Sequence, residues 1–191
     1  MKRIQTIAVY LGSKCGNTPD FVELANKIGT LLAENGIGVV YGGTNIGTMT
    51  AMADGVRAAG GKLTGVIPEI FVSKSFTYGN LTNCVKTQDL KERKAKMEEL
   101  SQAALVLPGS YGTMDEVFEY AVNNQLCKLE RPIFILNHKG FYDPLLRQLD
   151  VMEEYGFLTT ELKGMFIPCA CVEDVISKIL SINQLFYGDH Y

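Results

Sequence analysis

The chain has 191 residues, 47% of them hydrophobic, and 18 basic against 21 acidic residues leave a formal charge of −3. Such a length and apolar content suit one domain, residues 1–191, that buries a sizeable core without metals or disulfides. Charges of both signs are spread without blocks, so there is no electrostatic case for nucleic acid or a membrane surface as a partner, and any phosphate has to be bound locally.

The N-terminal MKRIQTIAVYLGS has an apolar run too short for a signal peptide or a membrane span, and a cytoplasmic location is expected. Ile4 to Leu11 reads as a buried strand and the amphipathic stretch Thr18 to Asn35 as a helix. The same alternation continues with strand Ile37 to Tyr41, helix Asn45 to Ala59 and strand Leu63 to Ile67. From Pro68 to about Asn83 periodicity is lost, and this stretch, with Phe71, Phe76 and Tyr78, is expected to be a loop over the site. After a short strand, Cys84 to Lys86, come helix Asp89 to Gln102, strand Ala103 to Leu107 and helix Thr113 to Leu129. Strand Ile133 to Leu136, helix Asp143 to Tyr155 and strand Met165 to Cys169 complete the pattern. The prediction is an α/β fold: a single Rossmann-like domain whose parallel sheet carries helices on both faces.

Cys15, Cys84, Cys127, Cys169 and Cys171 form no C-x-x-C pair, and His138 and His190 stand apart from them, so no metal site is expected. Cys169 and Cys171 alternate along the last strand, where buried free thiols are common, and the compartment is expected to be reducing.

Ligands of open parallel sheets bind outside the carboxyl ends of the strands. Glycine-rich turns are predicted at three of those ends: LGSKCGN (11–17), YGGTNIG (41–47) and PGSYGT (108–113). No strand runs into G-x-G-x-x-G with an acidic residue about 20 positions later, and Gly36 and Gly38 precede a strand. A Walker A loop ending G-K-[ST] is missing too, so hydride transfer and ATP-driven work are not expected. What remains is a phosphate held by backbone N–H groups at a helix N-terminus, to which Thr113 could add its hydroxyl.

Thr113 and Glu116 form the T-x-x-E of a helix capping box, which would make Glu116 a cap and nothing more. The same carboxylate follows a strand and a Gly-Ser-Tyr-Gly turn, where a phosphate-bearing ligand would be held, and that second reading stays open beside the first. Asp89 and Glu92 start another helix in capping-box style. On it Leu90, Arg93, Met97 and Leu100 share a stripe, with Glu92, Lys96 and Glu99 opposite. Arg93 therefore points inward and either snorkels past the stripe to solvent or needs an acceptor: a structural carboxylate, Glu116, or a bound phosphate. Lys94, next on the arc, is either a second phosphate contact or an exposed side chain.

Taken together, YGG followed by Gly47, GVIP at 65–68, Glu92-Arg93-Lys94 and PGSYGTMDE at 108–116 resemble the LOG ("Lonely Guy") family, the cytokinin riboside 5′-monophosphate phosphoribohydrolases. Order and spacing match over roughly residues 6 to 137. The resemblance implies hydrolysis of the N-glycosidic bond of a nucleoside 5′-monophosphate with adenine or an N6-modified adenine as base, giving free base and ribose 5-phosphate without a cofactor. It puts Arg93 and Glu116 in the place of the family's catalytic arginine and glutamate. It implies that Gly109, Ser110, Tyr111, Gly112 and Thr113 hold the phosphate with Lys94, while Gly12, Ser13, Gly42 and Gly43 line the adjoining turns. The family's older label, lysine decarboxylase, finds no lysine evidently placed for pyridoxal phosphate.

The chain departs from the family pattern in having Ser110 for the second glycine of P-G-G, Thr44 for a third glycine after Tyr41, and Thr48 and Thr50 for the leucine and glycine of G-L-M-G. Those departures keep a second class of function open, a non-catalytic carrier or sensor of a phosphorylated nucleotide or cofactor. The resemblance also implies a homodimer. In the helix from Thr113, Met114, Phe118, Ala121 and Val122 are expected to cover the sheet, leaving Glu116, Tyr120, Asn123 and Asn124 to face a partner subunit.

Overall fold

The first strand, β1 (Thr6–Tyr10), is apolar on both faces: Ile7 and Val9 enter one buried cluster, Ala8 and Tyr10 the other. A strand buried on both sides belongs inside a parallel sheet covered by two layers of helices. The computed structural model describes residues 2–72 and 76–186, so His190 and residues 73–75 of the expected loop lie outside the described residues. In chain order after β1 come α1 (Asp20–Glu34), β2 (Gly38–Tyr41), α2 (Gly47–Ala58), β3 (Leu63–Pro68), α3 (Glu69–Val72) and β4 (Asn83–Thr87). Next are α4 (Leu90–Glu99), β5 (Ala103–Val106), α5 (Tyr111–Leu126) and β6 (Ile133–Leu136). The described chain ends with α6 (Asp143–Glu154), α7 (Thr160–Lys163), β7 (Phe166–Cys169) and α8 (Val172–Gln184).

The 7-stranded sheet runs β4-β3-β2-β1-β5-β6-β7, and every pairing is parallel. On one face, Ile28 and Leu32 of α1, Met52 and Val56 of α2, and Val175 and Ile179 of α8 complete a core with Ile7, Val9 and Val39. On the other, Met97 of α4, Val117 and Tyr120 of α5 and Leu149 of α6 pack on Ala8, Tyr10 and Val106. The chain winds outward through β2, β3 and β4, then crosses back to lay β5 on the other side of β1. Connections from β1 and β5 therefore diverge to opposite faces, and the crevice where such sheets bind ligands opens at their carboxyl ends.

Three local expectations need correction. Cys171 is not part of the last strand: it takes the N-cap position of α8 without a side-chain bond to the helix end and is exposed, while Cys169 ends β7 buried, its thiol pushed up to about 11 by that burial. Leu90, assigned to the inward stripe of α4, is half exposed because it opens the helix beside the Asp89 cap. That cap is real, with Glu92 N–H donating to Asp89 Oδ1 at 2.8 Å, but the Glu92 carboxylate reaches Gln88 N–H at 2.7 Å.

The third correction concerns α5, which sits rotated from the expected setting. Thr113, Val117, Tyr120 and Asn124 are buried, and Met114 and Ala121 pack partly buried against the core as expected; Phe118 and Val122 are outward, and Leu126 is 74% exposed. Specific partners turn the polar side inward. Tyr120 packs edge-on against Tyr10 with centroids 6.2 Å apart, and Asn124 Nδ2 donates to Arg131 O at 2.8 Å.

The loop after β3 begins with α3 and returns along the turn after β2. There Asn45 N–H donates to Phe76 O and Tyr78 N–H to Gly43 O, both at 2.9 Å, and Thr77 pairs with Thr44. At the opposite end of the sheet, Asn183 of α8 fastens the chain start to the core, accepting from Ile4 N–H at 2.7 Å and donating to Ile4 O at 2.9 Å. Both bonds are buried, so Asn183→Ala is expected to cost about 2 kcal/mol of unfolding free energy. A urea midpoint equal to the parent's would show that water replaces them.

Candidate functional site

Each strand that reaches the crevice delivers a turn. β1 leads into Gly12-Ser13, β2 into Gly42-Gly43 and β5 into Pro108-Gly109-Ser110, where α5 starts. Gly109 is required there by contact, because a Cβ on it would fall 2.0 Å from Thr113 Oγ1. Ser110 takes the N-cap position at φ −118°, ψ −151°, extended backbone that serine adopts without strain. Its side chain makes no bond to the helix end. The N–H groups of Tyr111, Gly112 and Thr113 form the first turn, which carries no acidic residue, and N–H groups and dipole there favour an anion.

Between the turns lies a cavity of about 150 Å³, lined by Val9, Leu11, Ser13, Gly42, Met49, Arg93, Ser110, Gly112, Thr113 and Glu116. A larger cavity of about 710 Å³ opens at the amino ends of β6 and β7, among Leu129, Pro132, Leu162 and Met165, far from these turns. Volume alone would favour the second, but charge and donors converge in the first.

Arg93 and Glu116 meet in that small cavity. The guanidinium Nη2 of Arg93 donates to Glu116 Oε1, and the side chains are 15% and 10% exposed. Arg93 also lies against the β2 turn: a Cβ on Gly42 would stand 3.3 Å from its Nη1. Because Arg93 comes from α4 and Glu116 from α5, the pair holds together the helices that flank β5. Burial raises the Glu116 carboxyl to about 7; the charges of Arg93 and, less strongly, Lys94 pull against that rise, and Asp115 adds to it.

Other expected site residues are placed as follows. Lys94 does not line the cavity; its ammonium bonds Asp115 at 2.9 Å and Glu119, on either side of Glu116 along α5. Although burial opposes its charge, those carboxylates hold the Lys94 pKa above its ordinary value. Gly12 N–H donates to Pro108 O at 3.2 Å, and Gly43 turns at φ +71° against Gly65. Tyr111 is 93% exposed, so only its backbone faces the turn. The capping-box reading of Thr113 and Glu116 is overturned: α5 begins at Tyr111, Thr113 is already inside it, and the Glu116 carboxylate is on Arg93. Val9, Leu11 and Met49 were not singled out in the sequence. The alternation of β1 would have placed Val9 and Leu11 on one side, whereas Met49 is fixed by a contact no pattern displays, the Thr44 hydroxyl donating to its sulfur at 2.9 Å.

Comparison with known proteins identifies the family. The family described as "Possible lysine decarboxylase" matches residues 49–179. A probable cytokinin riboside 5′-monophosphate phosphoribohydrolase of rice, LOGL1, is 33% identical over 93% of this chain and 79% of its own. The cytokinin riboside 5′-monophosphate phosphoribohydrolase of Rhodococcoides fascians is 32% identical over 93% of this chain and 90% of its own. The chain belongs to the LOG family.

The fold of this LOG-family chain is shared more widely. The molybdenum cofactor binding protein of Rippkaea orientalis superposes with a TM-score of 0.72 at 22% identity, covering 95% of this chain and 99% of that one. The molybdenum cofactor carrier protein of Chlamydomonas reinhardtii gives 0.69 at 20%, covering 97% and 99%. At these identities the likeness is one of fold alone.

The Glu116 titration can be observed directly. Carboxyl-carbon NMR of the free protein is expected to show Glu116 with a midpoint near pH 7. Because Arg93 pulls it down, Arg93→Met should move that midpoint higher. A midpoint near the usual 4.3 of a solvated glutamate would refute the burial argument.

Proposed function

We propose that this LOG-family protein hydrolyses the N-glycosidic bond of a nucleoside 5′-monophosphate whose base is adenine or an N6-modified adenine, releasing the base and ribose 5-phosphate. The observation that carries the reading is the Arg93–Glu116 pair at the carboxyl ends of β1 and β5, beside a helix N-terminus able to hold a phosphate. Relatives at about one-third identity bear the matching activity in their names.

In this reading the phosphate rests on the N–H groups of Tyr111, Gly112 and Thr113 and on the Ser110 hydroxyl, with Ser13 and Gly42 closing the sides. The bond between the base nitrogen and the anomeric carbon breaks, and positive charge develops on the sugar. The Glu116 carboxylate stabilises that charge and takes a proton from the attacking water, the water's oxygen bonds the anomeric carbon, and the departing base takes up a proton from solvent. Arg93 keeps Glu116 ionised and aimed. Lys94 fixes Asp115 and Glu119, hence the helix turn that carries Glu116, and adds positive potential for the phosphate without touching it. A carrier of a phosphorylated ligand would use the same turns, yet it gains nothing from a buried carboxylate beside an anion.

The reading extends to a cytoplasmic homodimer. Among the described residues no helix is long and apolar enough to cross a membrane. The outward strip of α5, Phe118, Val122 and Leu126, offers an apolar face to a second copy in place of the semi-polar face expected from sequence. Light scattering at micromolar concentration should give twice the chain mass, and Val122→Asp with Leu126→Asp should return the monomer; a monomeric parent would rule the dimer out.

Activity separates cap from catalyst. Glu116→Gln keeps shape but removes the charge, so turnover of AMP or an N6-substituted AMP should fall by on the order of 100-fold with monophosphate affinity near the parent's, while the melting temperature drops because Arg93 loses its buried counter-charge. Arg93→Ala should lose as much, and the double variant little more, since the two side chains act as a unit. In the parent, kcat/KM should rise with pH through about 7 as Glu116 ionises. Full activity in Glu116→Gln, measured by chromatography of the released base, would remove the glutamate from the mechanism.

A further inference from the structure

Gly12 is bonded on both sides of its backbone. Its N–H donates to Pro108 O at 3.2 Å, joining the β1 turn to the β5 turn, and its C=O accepts from the Thr48 hydroxyl at 2.7 Å, joining it to the first turn of α2. Thr48 is 4% exposed and its hydroxyl bond is buried. Beside it Gly47 sits at φ +56°, with the position a Cβ would take only 2.3 Å from Ser13 O, so the two backbones are in direct contact. Ser13 lines the small cavity and Thr48 does not.

The geometry points to Thr48 as a positioning residue for ligand binding: by holding the Gly12 carbonyl it fixes the Gly12–Ser13 turn against α2 and keeps Ser13 in the cavity wall. Leucine, which the family pattern has at this position, offers no donor to that carbonyl. The inference rests on the proposed phosphoribohydrolase reading for its substrate, but its physical content is the placement of one wall of the cavity. Thr48 does not line the cavity, whereas Arg93 and Glu116 do. Loosening it should therefore weaken binding and leave the chemical step almost untouched.

The test compares Thr48→Val, which keeps the shape and deletes the donor, with Thr48→Ser, which keeps the hydroxyl. For AMP, KM and the calorimetric Kd are expected to rise about fivefold in Thr48→Val, the effect of one lost hydrogen bond, with kcat within twofold of the parent. Thr48→Ser should restore both values. Should Thr48→Val fail to fold, Thr48→Ala replaces it in the same comparison. A lower melting temperature with KM and Kd unchanged, or a Thr48→Ser variant as impaired as Thr48→Val, would overturn the assignment and leave Thr48 a packing residue. A parent that binds AMP without cleaving it would defeat the glycosidase reading alone, because the Kd comparison still decides the role of Thr48.

Discussion

A carboxylate placed under a helix and almost closed to solvent must be answered by positive charge, and in this fold the answer comes from the neighbouring helix. Arg93 on α4 meets Glu116 on α5, Lys94 bonds Asp115 and Glu119 across the same gap, and Glu98 accepts from Asn123 at 2.7 Å farther along. Arg131 closes the series, donating to Glu98 O at 2.9 Å with its guanidinium 5.7 Å from the Tyr120 ring centroid. Only the first of these contacts faces the crevice; the others hold the helices so that it can. Removing one partner of a buried pair commonly costs about 3–5 kcal/mol, yet replacing both by apolar groups is often neutral. Stability alone thus gives no reason for an ion pair at this point, and the reason has to be sought in chemistry.

The sheet was legible in the sequence because a strand buried on both faces leaves an unbroken apolar run, as Ile133 to Leu136 does, and because glycines mark the turns that follow. The face of α5 was not. Counting apolar residues assigned Phe118 and Val122 to the core, whereas the structure buries Tyr120 and Asn124, whose partners lie on β1 and in the segment before β6. Periodicity records the polarity of a residue but not the partner that neutralises it. α8 escaped for a different reason: it follows β7 after only Ala170 and Cys171, and cysteine alternation made that junction look like more strand.

In the site, the inward setting of Arg93 could be read from its spacing to Met97, which is fully buried. That its acceptor is Glu116 could not, because the pairing depends on how α4 and α5 are laid on the sheet. The T-x-x-E pattern misled by three residues: the N-cap is Ser110 rather than Thr113, so the first-turn N–H groups stay open and the glutamate, a turn farther in, is free to meet Arg93. Thr44 and Thr48, which look like departures from a motif, are bonded to Met49 and to Gly12 respectively. A linear pattern shows such substitutions as losses, since the bond each one makes exists only after folding.

These placements bear on how a carboxylate can act beside a phosphate. Both are anions, and a cavity of about 150 Å³ is smaller than the roughly 300 Å³ usual for a drug-sized ligand, so one part of a nucleotide has to lie over the open turns. Arg93 is the cationic side chain in the lining and contacts Glu116 while resting against the Gly42 turn, so in the proposed complex its charge would lie near both anions. Burial without Arg93 would leave Glu116 protonated and useless to a sugar cation; Arg93 without burial would leave a carboxylate so well solvated that a new positive charge gains little from it. With both, the carboxyl is raised to about 7, and in the proposed reaction a developing oxocarbenium charge would relieve its incomplete stabilisation at rest.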